Sequence, residues 1–190
     1  MKIKMIWQHY LKDVTTEFRK YKTLGEKAMA QVTDDEFFRT LDDESNSIAL
    51  IVKHMVGNMR SRWTDFLTTD GEKPDRHRDS EFISEAQDSR ASLMQRWEEG
   101  WALLFRAIVL LQNEDATRTV YIRGEPHTVL EATNRQLTHY AYHVGQIVFL
   151  GRHFAGHKWH SLSIPKGKSA ELEVSKAGDR RRMNNSDFTT

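Results

Sequence analysis

His139 and His143 stand four residues apart in Arg135-Gln-Leu-Thr-His-Tyr-Ala-Tyr-His-Val-Gly-Gln146. On a helix that spacing sets both imidazoles on one face, one turn apart, where they can share a metal ion. Spacing alone is a weak signal, because nine histidines in 190 residues give about 0.4 such pairs by random placement. A second pair, His153 and His157, does occur. The chemistry therefore needs a third ligand and a scaffold to hold it. The chain has no cysteine, which fits a reducing cytoplasm and leaves only nitrogen and oxygen donors for any metal.

The elements that must position these residues are few and long. Proline occurs only at Pro74, Pro126 and Pro165, and glycine is sparse. In the first segment Trp7, Tyr10, Leu11, Val14, Phe18 and Tyr21 recur at helical intervals. Thr33-Asp-Asp-Glu36 resembles a capping box opening a short turn, and Ser45-Asn-Ser47 offers a second cap. The second helix is expected to run to about Phe66, with the stripe Ile48, Ile51, Val52, Met55, Met59, Trp63 and Phe66.

Thr68 to Asp79 is polar and holds the turn residues Gly71 and Pro74, so it reads as a long connection. The third helix is predicted over roughly Ser80 to Gln112, with Met94, Trp97, Trp101, Leu104, Ile108 and Leu111 inward. Between Arg118 and Val129, β-branched and aromatic residues flank Gly124-Glu125 and predict a small β-hairpin. The fourth helix, about Leu130 to His153, carries the histidine pair. Together these elements predict an all-α fold, a four-helix bundle with one long crossover spanning residues 1–165. Residues 166–190 are a polar tail without apolar periodicity, expected to be disordered or ordered only by a neighbouring subunit.

Bundles build metal sites from side chains on facing helices, and His54 is the histidine in the middle of the second helix. It falls on the flank of the apolar stripe, in line with Leu50 and Asn58, which suits a ligand at the edge of a bundle. The plainer alternative is a half-buried histidine bonded to a carbonyl, and the same alternative holds for His139 and His143. His153, His157 and His160 form a rival cluster, but Gly156 between them makes a continuous helix doubtful. His9, His77 and His127 are isolated.

Asn58, Gln136, Tyr140, Tyr142 and Gln146 could orient ligands or substrate, or serve only as structural hydrogen-bonding groups. Arg60 and Arg62 could clamp an anionic substrate, although exposed arginines usually do nothing so specific. No carboxylate stands beside the histidines as in a His-Glu-x-x-His protease, and there is no Gly-x-x-x-x-Gly-Lys phosphate loop. Charge is balanced, 28 Lys plus Arg against 27 Asp plus Glu, so neither nucleic acid nor anionic lipid is expected as a partner. The amino-terminal apolar stretch is too short for a signal peptide, and the run Trp101–Leu111, broken by Arg106, is shorter than the about 20 residues of a bilayer span. A soluble cytoplasmic protein is expected.

Asn46-Ser-Ile-Ala-Leu-Ile-Val-Lys-His54 and His139-Tyr-Ala-Tyr-His-Val-Gly-Gln146 resemble the DinB-like superfamily of bacterial four-helix bundles, over roughly residues 5 to 155. Arg60 to Pro74 and the hairpin Ile122-Arg-Gly-Glu125 are similar to one subgroup of it. The resemblance implies a metal triad of His54, His139 and His143, and a homodimer. It also implies thiol transfer or thiol-dependent isomerisation on a small molecule, such as a low-molecular-weight thiol. Three neutral imidazoles suit a divalent ion, zinc or nickel first and iron or manganese next, with positions left open for water or substrate. Asn58, Arg62, Gln136, Tyr142 and Gln146 are the candidates for supporting or substrate-facing residues. A hydrolase, a non-catalytic metal- or ligand-binding bundle, and an interaction protein whose histidines merely pack are the competing expectations.

Overall fold

The computed structural model describes residues 2–168, with side chains from residue 5. It is mostly helical, 63%, and divides into two units, Met1–Trp159 and His160–Thr190. The second unit is described only to residue 168, so most of the predicted tail, 169–190, lies outside the described residues. The helices, the hairpin and the histidine pair all belong to the first unit. No helix among the described residues is long and apolar enough to cross a membrane.

Among the described residues, five α-helices and one hairpin occur in chain order: α1 (Lys2–Met29), α2 (Asp34–Phe38), α3 (Ile48–Trp63), α4 (Arg90–Val109), β1 (Thr119–Ile122), β2 (Glu125–Thr128) and α5 (Val129–Ala155). Long helix α1 packs on α5 and α4, and α3 packs on α4 and α5. Between them lie Phe18, Met55, Met59, Trp97, Trp101, Leu104, Tyr140 and Ile147, all fully buried. Trp101 meets Tyr140 edge-on at 5.6 Å and Phe18 meets Trp63 at 6.2 Å, geometries that aromatic quadrupoles favour.

The caps expected from the sequence are present. Thr33 and Glu36 form a reciprocal capping box on α2, and the Ser47 hydroxyl accepts from the Leu50 N–H at the start of α3. The hairpin pairs Ile122 with Glu125, so its turn residues are Arg123 and Gly124, both at positive φ (58° and 75°). That is the turn whose twist matches two antiparallel strands. Asp70 holds it from outside, accepting from the Arg123 and Gly124 N–H groups at 2.8 Å each.

Three boundaries differ from expectation, one of them the end of α4, at Val109 rather than Gln112. Helix α3 ends at Trp63 rather than Phe66, where Asp65 turns to positive φ (49°). Helix α4 begins at Arg90, not Ser80; the preceding residues form a 3-10 turn (Arg78–Phe82) and a loop. The reason is that their polar side chains are drawn to α3. Lys53 Nζ donates to the Ile83 carbonyl at 2.9 Å, to Glu85 at 2.9 Å and to Asp88 at 2.8 Å, and Ser89 then caps α4 through a box with Ser92. In consequence Leu93, not Met94, opens the buried stripe of α4.

The crossover also explains why α3 buries polar residues all round. Lys53, His54, Asn58, Ser61 and Arg62 are buried, although a helix with one apolar stripe would expose them. Ser61 donates to the Gly71 carbonyl at 2.7 Å and accepts from the Lys73 N–H at 3.1 Å. The segment between α3 and α4 is thus a second layer bonded to the helix that carries His54.

Candidate metal centre

His54 projects from the middle of α3, and His139 and His143 project from successive turns of α5. Their Nε2 atoms converge: His54 to His139 at 3.3 Å and His143 to His139 at 3.2 Å. Among the described residues these three make the one group of histidine and carboxylate donors able to share an ion, with all donor atoms within 4.8 Å of one another. His54 is buried, 4% exposed, whereas His139 and His143 are half-buried, so the group opens on the α5 side.

The far nitrogens decide which atoms face the centre. His54 Nδ1–H donates to Glu81 Oε2 at 2.8 Å, and His143 Nδ1–H donates to Gln146 Oε1 at 2.8 Å. With its proton on Nδ1, each ring turns a lone pair on Nε2 toward the others. His139 Nδ1 is buried without a hydrogen-bond partner. Two of the rings are therefore oriented by hydrogen bonds, and the third by its packing on α5.

Burial keeps the rings of His139 and His143 neutral. Burial, then the neighbouring His143 and His54, push His139 down to about 3. Burial also pushes His143 down to about 4, against the opposing hydrogen bond with Gln146. Burial alone would raise Glu81, but hydrogen bonds from His54 and Arg76 outweigh it and hold this carboxyl below the usual range. Arg76 grips Glu81 with two bonds, Nε to Oε1 at 2.8 Å and Nη2 to Oε2 at 2.9 Å. An ionised carboxylate thus stands behind one imidazole, and no proton must leave His139 or His143 before an ion could bind near neutral pH.

The donor set fits a metal. A tetrahedral ion with imidazole nitrogens at about 2.0–2.1 Å sets those nitrogens about 3.3–3.4 Å apart. The two Nε2 distances here, 3.2 and 3.3 Å, match.

The other residues singled out from the sequence divide into two groups. Gln146 reaches His143, and its Nε2 donates to the Tyr142 hydroxyl at 3.2 Å, so Gln146 and Tyr142 border the histidines. Asn58 instead accepts from the Tyr140 hydroxyl at 3.0 Å, which in turn accepts from Trp63 Nε1 at 3.0 Å. Arg62 is buried, bonding the Gly71 carbonyl and Glu72, and Gln136 is buried with Oε1 unpartnered. None of these three hydrogen-bonds a histidine of the group. Arg60 pairs with Asp75 on the surface. His153, His157 and His160 are exposed and form no ligand group.

Glu81, Arg76 and Phe82 are the neighbours that sequence reasoning missed. Phe82 stacks on the His54 ring at 4.9 Å, and the Arg78 guanidinium lies over the Phe82 ring, 5.2 Å from its centroid. All four lie in the long polar segment after α3. Its length was the available signal, since structureless connections beyond about 12–15 residues are uncommon and tend to be functional.

A family model described as "Protein of unknown function (DUF1572)" matches residues 5–168, nearly the whole of the described chain. The chain belongs to this family. No curated protein and no solved structure gives a significant match. The match to the DUF1572 model takes in α3, the crossover, the hairpin and α5, and so every residue of the histidine group and of its Glu81–Arg76 support.

Proposed function

We propose that this member of the DUF1572 family is a metal-dependent enzyme with a DinB-like four-helix-bundle fold, in which His54, His139 and His143 hold a divalent ion, zinc or nickel first. The observation that carries the proposal is the convergence of three Nε2 atoms at 3.2 and 3.3 Å, two of them with their Nδ1 protons already engaged. The rings of His54 and His143, their Nδ1 protons engaged, each turn an Nε2 lone pair toward His139 Nε2. Three protein ligands leave coordination positions open, the arrangement of catalytic rather than structural sites.

An ion held there would supply Lewis acidity, lowering the pKa of a bound water or thiol at neutral pH. The protein's own contribution is orientation. Glu81 and Gln146 fix the rings of His54 and His143, burial keeps His139 and His143 unprotonated, and Phe82 walls one side. Tyr142, 64% exposed and bonded to Gln146, stands beside His143, where it can meet a small substrate entering from the α5 side.

The favoured reaction is transfer of a low-molecular-weight thiol to an electrophile. The test is turnover of small thiols with model electrophiles, with and without chelator, in wild type and His143→Ala. Turnover that needs both metal and His143 supports the proposal. Metal-dependent hydrolysis without thiol transfer would replace the reaction but keep the centre, and binding without any turnover would make the protein a metal- or ligand-binding bundle.

A further inference from the structure

We infer that Glu81 is a positioning residue for His54 and that Gly57 is the notch in α3 that admits it; this rests on the proposed metal centre. Gly57 lies three residues after His54, on the same side of the helix and inside it. A glycine there costs about 1 kcal/mol relative to alanine, and its backbone is ordinary helix, so no left-handed conformation explains it. Space does. A Cβ at Gly57 would stand 2.1 Å from Glu81 Oε1 and 2.7 Å from its Cδ, far inside contact distance. Any side chain at position 57 would force the carboxylate to shift from its place beside His54.

The carboxylate that fills the notch is held by three bonds from two residues. His54 bonds Oε2, and Arg76 bonds both oxygens in the fork geometry that fixes orientation as well as charge. Arg76 is in turn paired with Glu72 at 3.4 Å, and Glu72 is held by Arg62 at 3.0 Å and by Arg123 of the hairpin turn at 3.1 Å. A chain of alternating charges therefore runs from the hairpin to the back of one imidazole. The next residue, Phe82, presses on the face of the same ring, at 4.9 Å and 28° between planes.

These contacts set His54 apart from its two companions. Its Nδ1 meets a carboxylate, that of His143 meets a neutral amide, and that of His139 meets nothing. A carboxylate behind a ligating imidazole fixes the tautomer and raises the basicity of the other nitrogen. His54 is the ligand prepared in advance, and the crossover after α3 is the part of the chain that prepares it.

Three variants test this: Gly57→Ala, Glu81→Ala and the conservative Glu81→Gln. The readouts are the zinc dissociation constant by chelator competition, the visible spectrum of the cobalt(II) form, and the His54 tautomer in metal-free protein by long-range 1H–15N NMR. Wild type should show His54 protonated on Nδ1. Gly57→Ala and Glu81→Ala should each weaken zinc binding by about 10–100-fold, the usual effect of losing such a partner, alter the cobalt spectrum and release the tautomer. Glu81→Gln, whose amide oxygen still accepts from Nδ1–H, should recover part of the affinity. Helix content by circular dichroism should not change, since alanine favours helix at position 57. Wild-type affinity, spectrum and tautomer in all three variants would overturn the inference and leave Glu81 as a pin for the crossover. If wild type binds no metal, the centre itself is refuted, and the tautomer alone then decides the positioning: release in Gly57→Ala supports it, no change overturns it.

Discussion

His54 Nε2 and His139 Nε2 lie 3.3 Å apart although 85 residues separate them in the chain. An ion shared by these two nitrogens would also reach His143 Nε2, 3.2 Å from His139 Nε2. That relationship, with the hydrogen bonds behind it, has consequences for metal content, acid stability and the effects of substitutions.

Removing a ligand should remove the metal. Wild type is expected to bind one zinc or nickel ion per chain, and His143→Ala to lose most of it, with the fold kept because His143 is half-buried at the open side of the group. Metal analysis of untagged protein with circular dichroism checks both halves. Full stoichiometry in the variant would exclude His143 as a ligand.

Acid should weaken the metal-free protein through His139 and His143. Their folded values are lowered, to about 3 and about 4, whereas the unfolded chain takes up a proton on each near 6.5. Above that pH both states are neutral and the two groups add nothing; as pH falls below it the unfolded chain binds more protons and stability drops, until the folded values are reached. The denaturation midpoint of metal-free protein should therefore fall between about pH 6.5 and about pH 4, and fall less in a His139→Phe variant. Equal slopes for the two would contradict the assignment.

Arg62 should matter for stability and not for loading. Its side chain, 5% exposed, bonds Glu72 and the Gly71 carbonyl and so ties the crossover to α3. Arg62→Met is expected to lower unfolding free energy by about 3 kcal/mol, the low end for breaking a buried pair because Arg76 and Arg123 still neutralise Glu72. Metal stoichiometry should be unchanged. A variant as stable as wild type that had lost substrate turnover would restore Arg62 to the role of a substrate clamp.

Tyr140→Phe should behave similarly on a smaller scale. The lost hydroxyl leaves buried Trp63 Nε1 and Asn58 Oδ1 without partners, a penalty of about 1–3 kcal/mol, with zinc affinity retained. Chemical denaturation and chelator competition measure the two quantities separately.

The helices and their inner faces are legible in the sequence because helical period writes burial directly into the order of residues. Spacing alone places Val14, Phe18, Met55, Met59, Trp97, Trp101 and Val144 inward, and they are buried. Caps such as Thr33–Glu36 and Ser47 are legible for a related reason, since their partners lie within four residues. The start of α4 is not, because Lys53 and Arg76 draw Asp88 and Glu81 out of any helical run, and Lys53 lies on α3, 35 positions before Asp88. The histidines can be gathered from two helices, yet the carboxylate behind His54 cannot: it lies 27 positions away, across a segment without period. The same limit applies to Asn58 and Arg62, polar residues on a buried flank whose partners only the fold supplies.

The most direct measurement is anomalous scattering from crystals of untagged protein, collected on both sides of the zinc and nickel edges. One peak is expected, about 2.0–2.1 Å from Nε2 of His54, His139 and His143 alike, with His54 Nδ1 still on Glu81. A well-ordered site without a peak, its three imidazoles bonded only to one another, to Glu81 and to Gln146, would contradict a metal centre.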